Sequence, residues 1–142
     1  MAFSMSKLSA FLKPLYNEKT KEFVLSDRFV DESGEPVTIS IKSIMQDVND
    51  NLIKLSTKRR KENGADAEYL DKPEYQARLI ITCVTDPDFA SEELCKAYGV
   101  VDPLLVPAKM LMVGEYSKLV KEIMKINGFK DDSEVGEDAK NS

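Results

Sequence analysis

The sequence predicts an α+β protein that is mainly α: a compact helical domain with an N-terminal β-hairpin and a short N-terminal helix. Apolar residues recur with helical spacing at several places, strand-like alternation is confined to residues 22–43, and prolines and glycines separate these segments. The length suits one domain over residues 1–130. The acidic segment 131–142 has little to bury, and we expect a flexible tail there.

A short helix and a hairpin are predicted at the N-terminal end. Apolar side chains at positions 8, 11, 12 and 15 share one side of a helix that Pro14 limits, and this helix could dock on the body or on a partner. Two alternating runs flank Gly34 and Pro36, which predicts strands over roughly residues 22–30 and 36–43. Two strands alone are marginal in water, so their apolar side should rest on helices.

The next helix is predicted from Ser43 to about Lys61. Ser43 and Gln46 have the spacing of a capping box, in which each side chain satisfies a free backbone amide at the helix start. Apolar residues then recur at three- and four-residue intervals, at Met45, Val48, Leu52 and Leu55. The stretch from residue 62 to residue 72 is expected to loosen the chain.

A buried helix is predicted after Pro73, which suits a first helical turn. The apolar run from Leu79 to Val84 is expected to be the most buried segment. Its β-branched residues would also fit a strand, but the length and the helical start favour a helix. Farther on, Ser91 and Gly99 have the positions of an N-cap and a C-terminal stop. Two prolines at 103 and 107 then predict a turn and a short helix.

The stretch LMVGEYSKLVKEIMKINGF, residues 111–129, predicts an amphipathic helix over 114–129. Its core-facing side should consist of Tyr116, Leu119, Val120, Ile123 and Met124, at helical spacing. Gly128 has the position of a left-handed C-cap residue, and Phe129 can fold back onto the last turn as its apolar partner.

Composition argues against most enzymatic chemistry. The chain has no histidine, which removes Ser-His-Asp and Cys-His machinery and the commonest zinc ligand. Its six glycines never have the spacing of a phosphate-binding loop. Cys83 and Cys95 are too few for a cysteine-only zinc site, and we expect them to be reduced. We therefore predict a non-enzymatic protein without cofactor or metal, and with no catalytic residue.

Charge and hydropathy limit the classes of partner that the chain can have. The formal net charge is −5, and most of it lies in the tail, so the body offers no broad basic surface for nucleic acid. The cluster KRRK at 58–61 could touch phosphate or complement a helix dipole, and its short length favours the second interpretation. No apolar run is long enough to cross a membrane. The N-terminus predicts neither a signal nor a transit peptide, so a cytoplasmic location is expected.

Three segments occur in an order that is similar to a known family. They are RFVDESGEPVTISIKSI, EYQARLIITCVTDPDFASEELCKAYGV and KMLMVGEYSKLVKEIMKINGF, spread across residues 3–130. Together they resemble the XkdN-like tail assembly chaperones of phages and phage-derived particles with contractile tails. The strongest parts are ARLI, ELCKAYGV and the pattern from Met110 to Phe129, none of which is a catalytic signature. The resemblance does not include the acidic tail.

The resemblance implies a chaperone that binds the long helical tape measure protein before the tail tube polymerises, and that is absent from the finished tail. The alternative is a structural tail tube or baseplate component. Methionine adapts its shape to varied partners, so we predict that the partner contacts lie on the apolar rim before the last helix and on its far end, at Leu105, Met110, Leu111, Met112 and Met124.

The resemblance also implies further partners. Members of this functional group in several phages are made in two lengths by ribosomal frameshifting, and Ala139-Lys140-Asn141 can be encoded with the slippery heptamer A AAA AAC. A longer frameshifted form of the chain and the tail tube protein are therefore possible partners, as is a second copy of the chain.

Overall fold

The computed structural model describes residues 2–129, and side chains from residue 7 onward. Its helices are α1 (Ala2–Leu12), α2 (Gln46–Leu55), α3 (Lys72–Cys83), α4 (Glu92–Ala97), a 3-10 turn (Pro103–Leu105), α5 (Val106–Met110) and α6 (Val113–Ile126). Its strands are β1 (Thr20–Phe23), β2 (Ile39–Lys42), β3 (Thr57–Glu62), β4 (Ala65–Leu70) and β5 (Val84–Asp86). The predicted mixed α+β class is confirmed.

The first sheet has the strand order β1-β2-β5, antiparallel throughout. Thr20 pairs with Lys42 and Phe23 with Ile39, so the predicted pairing of these two regions is confirmed. The predicted span 22–30 is wrong, because the chain leaves the ladder after Phe23. Residues 24–38 form a long loop instead, in which Leu25 turns into the core and Val30 and Pro36 form one isolated bridge. The third strand, β5, was not predicted.

The predicted helix from Ser43 to Lys61 is shorter at both ends. Met45 is the N-cap residue of α2, and the Ser43 hydroxyl instead accepts a hydrogen bond of 2.8 Å from the backbone N–H of Lys19. Of the predicted apolar stripe only Leu52 is buried, while the other three members are exposed.

Residues 57–70 form a second hairpin where a helix end and a loose segment were expected. Strands β3 and β4 pair without a break, from Thr57 opposite Leu70 to Glu62 opposite Ala65. The two-residue turn consists of Asn63 and Gly64, both with positive φ (52° and 81°). Asn-Gly is the sequence that a tight hairpin turn of this hand favours, and this local signal outweighs the helical pattern before it.

The core lies between the first sheet and helices α3 and α6. The Asp71 side chain caps α3, and Pro73 is in its first turn, as predicted. Leu79, Ile80, Cys83 and Val84 are buried, which confirms the helix and its apolar run, although Val84 already begins β5. The fully buried side chains from the other elements include Ile41, Phe89, Val106, Leu119 and Ile123.

Helices α4 and α6 end in the same way. After α6 the N–H of Phe129 donates to the Met124 carbonyl (2.9 Å), and the N–H of Gly128 donates to the Lys125 carbonyl (3.0 Å). The equivalent bonds after α4 run from Val100 to Cys95 and from Gly99 to Lys96. Both glycines have positive φ, so both ends are Schellman motifs. The predicted glycine stops are confirmed.

Candidate partner-binding surfaces

The five predicted partner-binding residues differ in accessibility. Leu105 and Met112 are 51% and 60% exposed, so both present apolar side chains to solvent. Met110 and Met124 are half-buried and pack against the core. Leu111 is 8% exposed and belongs to the core itself, so it cannot offer a side chain to a partner in this conformation.

The structure does not bring these residues together in one patch. Met112 is the N-cap of α6 and Met124 lies in its last turn, so at 1.5 Å per residue they are about 18 Å apart along the helix axis. Met124 borders a small cavity of about 70 Å³ that Phe129 and Leu79 also line. Leu105, Met110 and Met112 lie toward the opposite end of α6, and we call Leu105 and Met112 the apolar rim.

The rim is anchored by an ion pair between Arg28 and Glu115. The guanidinium donates from Nε to Glu115 Oε2 (2.9 Å) and from Nη2 to Glu115 Oε1 (2.5 Å), and Nη2 also donates to the Met110 carbonyl (2.9 Å). Glu115 in turn accepts from the backbone N–H of Met112 (2.8 Å). One carboxylate thus ties the loop 24–38 to the start of α6, next to the exposed rim residue Met112.

The same ion pair controls the charge state of Glu115. The hydrogen bond from Arg28 lowers the pKa of Glu115 to about 2, and hydrogen bonds from Ser26 and from the backbone of Met112 act in the same direction. Its carboxylate is therefore charged at neutral pH, and the pKa of Arg28 is raised by the same contact. No local sequence pattern predicts that Arg28 and Glu115 form a pair. The signal was present only in the resemblance motifs, which contain Arg28 in RFV and Glu115 in GEY.

An apolar groove lies beside this anchor, on the Met110 side. It has a volume of about 340 Å³ and is lined by Leu25, Phe29, Val37, Thr38, Ile39, Asp86, Pro87 and Met110. Arg28 stacks over the Phe29 ring, with Cζ 4.9 Å from its centroid, and so fixes one wall. We call this feature the Met110 groove. Its size and lining suit two or three apolar side chains.

The N-terminal segment 2–16, which we call the N-terminal arm, exposes its apolar side chains from Leu8 onward. Phe11 is 76% and Leu15 is 93% exposed, and Leu8, Leu12 and Tyr16 are also largely in solvent. The sequence left open whether this helix docks on the body or on a partner. Its described side chains do not pack into the core. The arm therefore presents more exposed apolar side chains than the rim does.

The basic cluster 58–61 is on β3, and three of its four charges are paired locally. Lys58 contacts Glu74 (3.1 Å), Arg59 contacts Glu68 (3.3 Å) and Arg60 contacts Glu62 (2.7 Å). Arg60 also lies over the Tyr69 ring. These contacts occupy charges that a phosphate backbone would otherwise need.

The described residues hold no constellation that suggests catalysis. No group of three or more potential metal ligands occurs among them. Cys83 and Cys95 are both buried and unpaired, and burial raises the pKa of Cys83 to about 11, which keeps it a neutral thiol. In the part of the chain that the structure covers, no helix is long and apolar enough to cross a membrane. The described residues instead form a small α+β body that exposes apolar side chains at the rim and along the N-terminal arm.

Comparison with known proteins identifies the class. A family model described as phage XkdN-like tail assembly chaperone protein matches residues 8–140, and the chain belongs to this family. The predicted resemblance is thereby confirmed. The match extends beyond residue 130, so the expectation that the acidic tail lies outside the resemblance is wrong for most of the tail.

Two proteins of Bacillus subtilis (strain 168) are similar to this chain. It is 37% identical over 120 residues to phage-like element PBSX protein XkdN, which covers 82% of this chain and 81% of that protein. It is 36% identical over 120 residues to YqbN, covering 83% of this chain and 80% of that protein. The crystal structure of the protein YqbN superposes with a TM-score of 0.72 at 31% identity, over 85% of this chain and 96% of that chain.

The quoted motifs now have structural explanations. ELCKAYGV and the final NGF form the two Schellman helix ends, and GEY carries the carboxylate that binds Arg28 of RFV. ARLI places Leu79 and Ile80 in the core. These motifs therefore report the fold.

Proposed function

We propose that this protein binds the phage tape measure protein in the host cytoplasm and keeps it soluble until the tail tube polymerises around it. The support is membership of the tail assembly chaperone family, a non-enzymatic role directed at phage tails. A long amphipathic chain exposes apolar faces until they are covered, and such chains aggregate. A chaperone for it needs exposed apolar side chains on a stable body.

The observation that carries the proposal is the apolar rim. Leu105 and Met112 are exposed, yet the backbone of each is hydrogen-bonded: the Leu105 N–H donates to the Asp102 carbonyl (3.0 Å), and the Met112 N–H donates to Glu115 (2.8 Å). Ordered apolar side chains lose less freedom on binding than mobile ones do. Methionine adapts to helices of different sequence, which suits a repetitive partner.

Co-expression with the tape measure protein of the same phage tests this function. We expect wild-type chain to keep the tape measure protein in the soluble fraction and to co-purify with it. The double variant Leu105→Ser/Met112→Ser should lose most of this effect, because both substitutions remove exposed apolar surface without opening the core. Val101→Ser is the matched control, since Val101 is 98% exposed and lies outside the rim. A tape measure protein that is equally soluble without any chaperone would refute the proposal.

Mass spectrometry of purified tails separates this role from that of a structural tube or baseplate component. A chaperone should be present in lysates of producing cells and absent from finished particles. Stoichiometric incorporation into the particles would favour the structural role.

The longer frameshifted form rests on the codons for Ala139-Lys140-Asn141. The gene should contain A AAA AAC at this point, with an overlapping frame downstream that extends the chain. We propose that the extension would add contacts to the tape measure or tail tube protein, and another codon for Lys140 would remove this idea.

A further inference from the structure

The N-terminal arm and the Met110 groove lie near opposite ends of α6. Tyr16, at the base of the arm, shares a depression with Lys125 and Ile126 in the last turn of α6. Met110 precedes the first turn of the same helix. Since α6 has 14 residues, the two features are about 20 Å apart along its axis. None of the arm residues whose side chains the structure describes, 7–16, lines the groove.

The arm and the groove are complementary in apolar character. The arm exposes Phe11 and Leu12 at the end of α1 and Leu15 just after it. The groove has a volume of about 340 Å³, and its apolar lining includes Leu25, Phe29, Val37 and Met110. That space accommodates two or three side chains of this size. Each feature thus has apolar surface that the other could cover.

Their charges are also complementary. Residues 1–17 contain Lys7 and Lys13 and no acidic residue. The loop 24–38, which provides much of the groove lining, contains Asp27, Asp31, Glu32 and Glu35 against the single Arg28, and Arg28 is already paired with Glu115. Asp86 adds a carboxylate to the lining itself. Two cations lie near these five carboxylates: Arg28, and Lys118, whose Nζ donates to the Val24 and Leu25 carbonyls (3.1 and 3.4 Å). The carboxylates outnumber them, so an arm with two lysines is attracted to this groove.

We propose that the N-terminal arm of one molecule docks in the Met110 groove of a second copy, with Phe11, Leu12 and Leu15 as its apolar contacts. The two surfaces of such an interface differ, so the association is head-to-tail, and an open assembly has a free arm at one end and a free groove at the other until it closes. The interface joins regions separate from the apolar rim, which stays available to another protein.

Sedimentation velocity over a range of concentrations tests the interface. Wild-type chain should associate with rising concentration, and higher ionic strength should weaken the association because the contact is charge-assisted. Leu12→Asp places an acid against the acidic groove, and Val37→Lys places a cation against the basic arm. Each should weaken association by about 10- to 100-fold, as expected for loss of one buried apolar side chain and a new repulsion.

Both substituted sites are exposed in the single chain, so circular dichroism and Tm should not change. Val101→Asp and Val101→Lys are the matched controls and should associate like wild type.

Mixing the two defective variants gives the decisive result. Leu12→Asp retains an intact groove and Val37→Lys retains an intact arm, so a mixture should associate at concentrations at which each variant alone stays monomeric. A mixture that stays monomeric while wild type associates would overturn the proposal. Wild type that stays monomeric at every concentration would also overturn it, and would leave both surfaces to another partner such as the tape measure protein.

Discussion

Arg28 and Glu115 are 87 residues apart in the chain, and their contact determines how the loop 24–38 meets helix α6. Glu115 is 9% exposed and accepts from Arg28 and from the backbone of Met112. A buried carboxylate that accepts from a guanidinium and from a backbone N–H is costly to replace, because both donors are left without a partner. This one residue supports both the apolar rim and the wall of the Met110 groove.

Glu115→Gln should therefore lower the thermal stability of the protein at neutral pH. Glutamine keeps the size of the side chain but loses the charge that pairs with Arg28. Differential scanning calorimetry at pH 7 should give a Tm below that of wild type and below that of the control Glu32→Gln, an exposed carboxylate in the same loop as Arg28. At about pH 2, where half of the wild-type carboxyl is protonated, the difference should shrink. An equal Tm for both variants at pH 7 would show that the ion pair is not stabilising.

At the scale of elements, local signals predicted the helices better than the sheets. Pro73, Ser91 and Gly128 act within a few residues, and α3, α4 and α6 begin or end where they indicated. Strand β5 has three residues and exists because it pairs with β2, more than forty residues earlier. The sequence around residues 84–86 does not indicate that these residues pair with β2. The hairpin at Asn63-Gly64 was predictable, since the Asn-Gly signal lay in the sequence and was interpreted as a loose segment.

The glycine that ends α6 gives a prediction at this scale. Gly128 has a φ of +88°, a conformation that alanine adopts only at a cost, and no atom lies within 4 Å of an added Cβ. Gly128→Ala should therefore cost about 1–2 kcal/mol through backbone strain alone. Gly114, in the first turn of the same helix, has equal space and no positive φ. Gly114→Ala should leave stability unchanged or raise it by up to ~1 kcal/mol. Urea unfolding measures both, and a loss of equal size in the two variants would contradict this account.

At the scale of the whole molecule, the candidate site was only partly predictable. The sequence pointed to Leu105 and Met112, and both are exposed. It also included Leu111 and, separately, Met124, but local spacing does not reveal that Leu111 turns into the core or that Met124 is half-buried against it. The Met110 groove needs residues from the loop, from β2 and from the segment after β5. Such a surface exists only after folding, so no single stretch of sequence indicates it.

The pH dependence of stability tests the charge arrangement of the whole chain. With no histidine, we expect little change in the free energy of unfolding between pH 6 and pH 8. Three carboxyls, Asp31, Glu115 and Glu122, have pKa values below their ordinary ones in the folded protein. They contribute stability that is present above an unfolded pKa of about 4 and is lost as pH falls toward 2.

At alkaline pH the free energy of unfolding falls as pH rises, and a different group is the cause. Burial raises the pKa of Cys83 to about 11 from an ordinary 9.0, so the unfolded chain ionises first and stability falls as pH rises from 9 to 11. Urea unfolding across this range should give a plateau with one acidic and one alkaline decline. Cys83→Ala would remove the thiol contribution to the alkaline decline, although its cavity lowers the whole curve. Cys95→Ala, at a second buried cysteine, controls for the cavity. A wild-type curve with a step between pH 6 and pH 8 would mean that another group, shifted into this range by the fold, controls stability.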